Sequence, residues 1–199
     1  MTSYQNPDVP KSRIETLLRG LPGHPLHPPL TDATIGIFVF AAATAAIGYA
    51  GAIEDKAGPA SWLALIGGLG VAVPTAATGF VDWLYLEWGS PRWRTATWHL
   101  TAMLSAVALF ALAAWRQYPG YQHGDVTTAG LAFALAGLVV LTVGGWLGGS
   151  IVFVHGTRVI DRREPSPGSG ADAAAGDVAG SKGRSEVPGV TVERTSRGA

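Results

Sequence analysis

At 199 residues the chain is 48% hydrophobic and only 14% charged, far below the roughly 25% charge of soluble domains, and its mean hydropathy of +0.26 points to a membrane protein. Its 14 basic and 14 acidic residues cancel, which excludes the basic footprint of a nucleic-acid binder. Cysteine is absent, and this excludes disulfides, thiolate metal sites and cysteine-held iron–sulfur clusters within the chain.

Residues 1–22 read as an N-terminal arm. Ser12-Arg13-Ile14-Glu15 fits a capping box, and Ile14, Leu17, Leu18 and Leu21 follow helical spacing before Gly20 and Pro22 stop the helix. This predicts a short amphipathic helix on the membrane surface. The first 20 residues are polar and mixed in charge, with no pattern of a cleavable signal.

The stretch GLPGHPLHPPLTDATIG follows, from Gly20 to Gly36. Prolines at 22, 25 and 28 predict a polyproline-II approach, and His24 and His27, each before a proline, would then point the same way. At three residues per turn they would lie roughly 9 Å apart, too spread to chelate one ion rigidly. Thr31 or Asp32 is the expected cap of the first membrane helix.

Four apolar stretches without Asp, Glu, Lys or Arg come next: Ala33–Ile53, Ala60–Val81, Thr95–Trp115 and Val126–His155. About 20 helical residues cover the ~30 Å hydrocarbon core, and lipid leaves helices as the form that satisfies the backbone. Short connections, Glu54–Pro59, Leu84–Arg94 and Arg116–Asp125, make the fold class all-α: an integral membrane antiparallel four-helix bundle over residues 23–160. Beyond it, residues 161–199 are rich in Gly, Ala, Ser and Pro and read as a disordered tail.

Basic residues set the expected sidedness. Lys11, Arg13 and Arg19 precede the first helix, Arg92 and Arg94 lie between the second and third, and Arg158, Arg162 and Arg163 follow the fourth, against Lys56 and Arg116 on the other side. Both termini are therefore expected in the cytoplasm, with the chain in the inner (plasma) membrane. Trp83, Tyr85, Trp88, Trp93 and Trp98 mark one interface and Trp62, Trp115, Tyr118 and Tyr121 the other, while Trp146 sits too deep for a belt and reads as a packing residue.

Chain parity alone brings His24, His27, His99, His155 and Asp82 to one end of such a bundle, with His123 at the other. Ionisable groups at a bundle end are costly unless paired, ligated or wet. Gly144 and Gly148 share a helical face with His155, and with Gly145 and Gly149 they form small-xxx-small pairs that admit a neighbouring helix or a flat ligand. Thr75, Thr78 and Gly79 form a stripe with Asp82 that must face the interior, with Pro74 as a kink. Asp82 either pairs with Arg92 or Arg94 or serves the site.

HPLHPPLTDATIG, GFVDW (Gly79–Trp83), the WHLTAM stretch holding His99, and GGWLGGSIVFVHG (Gly144–Gly156) together resemble a bacterial membrane family known as domain of unknown function 2231. The resemblance spans roughly residues 20 to 160 and implies a four-helix membrane domain. Some members are fused to or encoded beside Rieske-type iron–sulfur domains, which implies a link to electron transfer. This chain has no cluster-binding pattern in its tail, so an iron–sulfur partner would be a separate protein. Some relatives carry a proline where Thr34 stands here, which leaves open the bend at the start of the first helix.

Three functions compete. The first is a membrane electron carrier with one haem b at the cytoplasmic end, for which His99 and His155 are the expected ligand pair, with His24, His27, Gly144 and Gly148 around the cofactor. The second is a first-row transition metal site drawn from His24, His27, His99, His155 and Asp82. The third is a non-catalytic scaffold or interaction protein in which the same groups form a structural hydrogen-bond network. Candidate partners are the lipid bilayer, a separate iron–sulfur or other redox protein, and a second copy of the chain. No serine elbow, HExxH or P-loop is present, and enzyme activity is left unassigned. A channel or transporter would need polar stepping stones across the core, which most of the apolar length lacks.

Overall fold

The computed structural model describes residues 12–21, 24–53 and 55–157, and the side chain of Glu15 is outside that description. The expected tail over 161–199, and Arg158, Arg162 and Arg163, lie outside the described residues. Among the described residues there are five helices: α1 (Arg13–Arg19), α2 (His27–Tyr49), α3 (Ala57–Leu84), α4 (Pro91–His123) and α5 (Thr128–Phe153). The last four are each long and apolar enough to cross a membrane. The expected all-α bundle is thus the observed one.

Consecutive long helices run antiparallel, and polar or small residues fix their register. Along α2 and α3, Gly48 lies against Ala57, Ser61 Oγ donates to the Ala41 carbonyl at 3.0 Å, Gly68 lies under Phe38, and the Thr34 and Thr75 hydroxyls meet at 2.9 Å. Along α4 and α5, Gly137 sits under Phe110, Gly144 against Met103 and Gly148 under the His99 ring. Trp62 Nε1 donates to the Ala114 carbonyl at 3.1 Å and Trp83 Nε1 to Thr97 Oγ1 at 3.0 Å, joining α3 to α4 at both ends. At mid-bundle Phe38 of α2 stacks on Phe110 of α4, with centroids 4.0 Å apart and planes 6° from parallel.

The interior is built mostly of small residues. Ala41, Ala42, Ala72, Ala106, Ala113 and Ala134 are buried around Phe38, Leu65, Phe110 and Leu141, whereas Leu63, Val73, Val139 and Val143 face outward. In lipid no hydrophobic force separates apolar side chains from their surroundings, so close backbone approach through small residues does the packing. Trp146 belongs to the outward set at 80% exposure. The expectation that it packs inside is corrected: the glycines flanking it take the helix–helix side of α5, leaving the indole toward lipid.

Prolines shift two helix starts away from the sequence expectation. Among the described residues the polyproline-II approach is not formed, and Pro22 lies outside them; α2 starts at His27, with Leu26 as its N-cap, and neither Thr31 nor Asp32 caps it. Pro28 and Pro29 occupy the first turn, where an absent N–H costs nothing and the fixed φ already suits a helix. Ahead of it, Gly20–Leu21 (β1) pairs antiparallel with His24–Pro25 (β2). Gly20 has a φ of +78°, and a Cβ there would overlap the His24 carbonyl, so the tight return requires glycine. Likewise α4 starts before Thr95, because Ser90 caps the Trp93 amide at 3.1 Å and Pro91 takes the first helical position. It then runs past Trp115 through Pro119 to His123.

Candidate ligand cleft at the histidine end

The start of α2, the end of α3, the start of α4 and the end of α5 share one end of the bundle, as parity requires. A cleft of about 450 Å³ opens among all four helices there. His27, Asp82 and His99 line it, with Gly145, Gly148 and Gly149 along the α5 wall and Ile35, Leu100, Met103, Leu104 and Val107 supplying apolar surface. His24 is exposed on β2 and is not on the lining, and His123 stands at the far end, with Nδ1 2.8 Å from the Pro119 carbonyl.

His99 is oriented by one bond. Its Nδ1 lies 2.8 Å from the Gly144 carbonyl. A carbonyl only accepts, so Nδ1 carries the proton and Nε2 is left with a lone pair. Among the described residues no other hydrogen bond engages the ring. His27 has the same tautomer, because its Nδ1 donates to the Thr75 carbonyl at 3.1 Å, with Thr78 Oγ1 at 3.3 Å. Its Nε2 faces Thr31 Oγ1 at 3.4 Å, and that hydroxyl gives its proton to the His27 carbonyl at 2.9 Å. Thr75 and Thr78 are both buried, so the polar stripe does face the interior.

Asp82 is held differently from expectation. Arg19, not Arg92 or Arg94, reaches it, with Nε 3.2 Å from Oδ1, and the guanidinium covers the Tyr85 ring 4.0 Å from its centroid. The β1–β2 return brings α1 against α3 and buries Arg19, whereas Arg92 and Arg94 are exposed in the first turn of α4. Asp82 is thereby a paired anion on the cleft rim.

His155 does not share the cleft. Its Nε2 lies 3.1 Å from Thr95 Oγ1, and it borders a separate recess with Tyr85, Glu87, Ser90 and Arg92. Of the four histidines expected at this end, His99 of α4 and His27 of α2 line the cleft, and His155 does not. The glycines divide in the same way: Gly144 and Gly148 pack on Met103 and His99, while a Cβ at Gly145 would meet nothing within 4 Å. Among the described residues no group of three or more His, Asp or Glu side chains is placed to hold a metal ion. The five expected metal ligands are not gathered into one site.

Two further participants were not singled out from sequence. Thr157 Oγ1, on the cleft lining, is buried without a hydrogen-bond partner among the described residues. At the far end Gln117 is buried, its amide donating to the Asp125 carbonyl at 2.8 Å while its oxygen accepts from the Thr127 amide at 3.0 Å. A glutamine just past an apolar run was the available signal for the second; nothing in the sequence marks the first.

No curated protein and no solved structure matches the chain. The model that defines one family, described as predicted membrane protein (DUF2231), matches residues 23–161, which takes in all four long helices and every cleft-lining residue named above. The chain therefore belongs to this family of membrane proteins.

Proposed function

We propose that the chain is a membrane-embedded haem b carrier in which His99 and His27 would hold the iron and the apolar cleft would take the macrocycle. The observation that carries this reading is the His99 Nδ1 bond to the Gly144 carbonyl, which leaves the Nε2 lone pair beside the cleft. A ring oriented through Nδ1 by a backbone carbonyl and offering Nε2 is the usual arrangement of a metal-ligating histidine. His27, on the diagonal helix, is likewise oriented through Nδ1 by a backbone carbonyl, that of Thr75. A bare metal ion would want more protein ligands than the described residues bring together, whereas haem supplies its own equatorial ligands and needs only axial ones. The side-chain-free wall at Gly145 suits a flat ligand, and Thr157 Oγ1 would gain a partner in a propionate. The basic residues flanking the histidine end favour a cytoplasmic orientation, where a separate redox protein would exchange electrons with the haem.

Full-length protein purified in detergent from haem-supplemented cells is expected to show a Soret band and a reduced α band. Both disappear in His99→Ala and in His27→Ala and persist in His155→Ala. Gly145→Leu, which fills the cleft without touching a ligand, also abolishes them while leaving the protein monodisperse. A colourless wild-type preparation overturns the proposal. The second reading, a structural network, is favoured by the hydrogen bonds that already engage His27, His99 and His155, and it predicts that colourless outcome together with loss of monodispersity in His99→Ala.

A further inference from the structure

The fourth imidazole of the histidine end has no part in the cleft, and its surroundings differ in chemistry. His155 closes a polar recess of about 390 Å³ between the α3–α4 turn and the end of α5, lined also by Tyr85, Leu86, Glu87, Ser90, Pro91 and Arg92. Thr95 Oγ1 lies 3.1 Å from both the Pro91 carbonyl and His155 Nε2; when its proton goes to the carbonyl, as in the other threonines that bond back along their helices, it accepts from His155 Nε2–H. In that arrangement His155 Nδ1 offers a lone pair with no partner among the described residues, the tautomer opposite to that of His27 and His99. Arg92 on the same recess makes no hydrogen bond or ion pair among the described residues. The recess therefore presents an unengaged guanidinium fork beside an unengaged acceptor. Trp83, Trp88 and Trp93 cluster on the α3–α4 turn, with ring centroids of Trp88 and Trp93 4.2 Å apart. Indoles gather at headgroup level, which sets the depth of the recess.

We propose that this recess binds the headgroup of an anionic phospholipid whose phosphodiester carries a hydroxyl-bearing substituent, as in phosphatidylglycerol. Arg92 takes the phosphate through its fork, and the headgroup hydroxyl donates to His155 Nδ1. Among the described residues Glu87 is the one carboxylate on the rim, and it opposes the phosphate. The site is independent of haem: its residues do not ligate the cofactor in the reading above.

The test is native mass spectrometry of the delipidated full-length protein in detergent, titrated separately with phosphatidylglycerol, phosphatidylcholine and inorganic phosphate. Expected are a retained phosphatidylglycerol adduct, at least tenfold weaker retention of phosphatidylcholine, and no displacement by inorganic phosphate. Arg92→Gln lowers phosphatidylglycerol affinity about tenfold, equivalent to about 1.4 kcal/mol; His155→Phe lowers it while phosphatidic acid, which lacks the hydroxyl, is bound equally by wild type and variant; Glu87→Gln raises it. Equal retention of the two lipids, or an unchanged affinity in Arg92→Gln, overturns the site. Displacement by inorganic phosphate overturns its assignment to lipid. Arg92 and Glu87 are exposed, and unchanged elution of their variants on size exclusion shows that the fold is intact.

Discussion

A residue's neighbours, more than its type, decide what it contributes here, and the glycines make the point measurable. A methyl group at Gly58 would overlap the Asp125 carbonyl and crowd that of Gly120, backbone atoms that cannot swing aside. Gly58→Ala is expected to cost about 3 kcal/mol, read as a lower midpoint of thermal unfolding in detergent. Gly145→Ala meets open space and should leave that midpoint unchanged. Gln117→Leu leaves the Asp125 carbonyl and the Thr127 amide without their buried partner and is expected to cost about 2 to 6 kcal/mol, since each orphaned group forfeits roughly 1–3 kcal/mol. The sequence marks the histidines as a set, because spacing and parity bring them to one end. It does not reveal that His155 points elsewhere, because that depends on which carbonyl or hydroxyl each ring finds. Gly144 and Gly145 are indistinguishable as letters and differ by about 100° around the helix, so one meets Met103 and the other the cleft.

Among the elements, the four long helices were legible because length and hydropathy alone select them. Their ends were not. The prolines after His27 read equally as an extended approach or as a first helical turn, and the choice is made by the β1–β2 return, a tertiary arrangement. Ser90-Pro91 is a start signal that composition obscures, since Arg92 and Arg94 make the segment look like a loop. Beyond Trp115 the helix outlasts its apolar run, held by Gln117 and Gly120 against the α4–α5 turn. In the short α1, Arg19 pairs with Asp82 of α3, so Arg19→Ala should destabilise by about 1 to 3 kcal/mol: the pair is only partly screened, with Arg19 5% and Asp82 24% exposed. Adding Asp82→Asn should restore part of the loss, by removing the carboxylate that Arg19 neutralised. A double variant no better than the single one would show that α1 is held by other contacts.

For the whole molecule, the absence of cysteine makes sidedness directly readable. Lys56→Cys at the far end is expected to react with a membrane-impermeant maleimide in intact cells, and Glu87→Cys at the histidine end only after permeabilisation; the reverse pattern would invert the proposed orientation. The bundle is also unequal along its length. Its cleft reaches from the histidine end to Thr34, Ile35, Ala72 and Val107, and next in the register comes the stacked pair Phe38 and Phe110. Two parallel rings on diagonal helices act as a bulkhead. On the proposed function, a ligand held above them would enter and leave from the same face of the membrane.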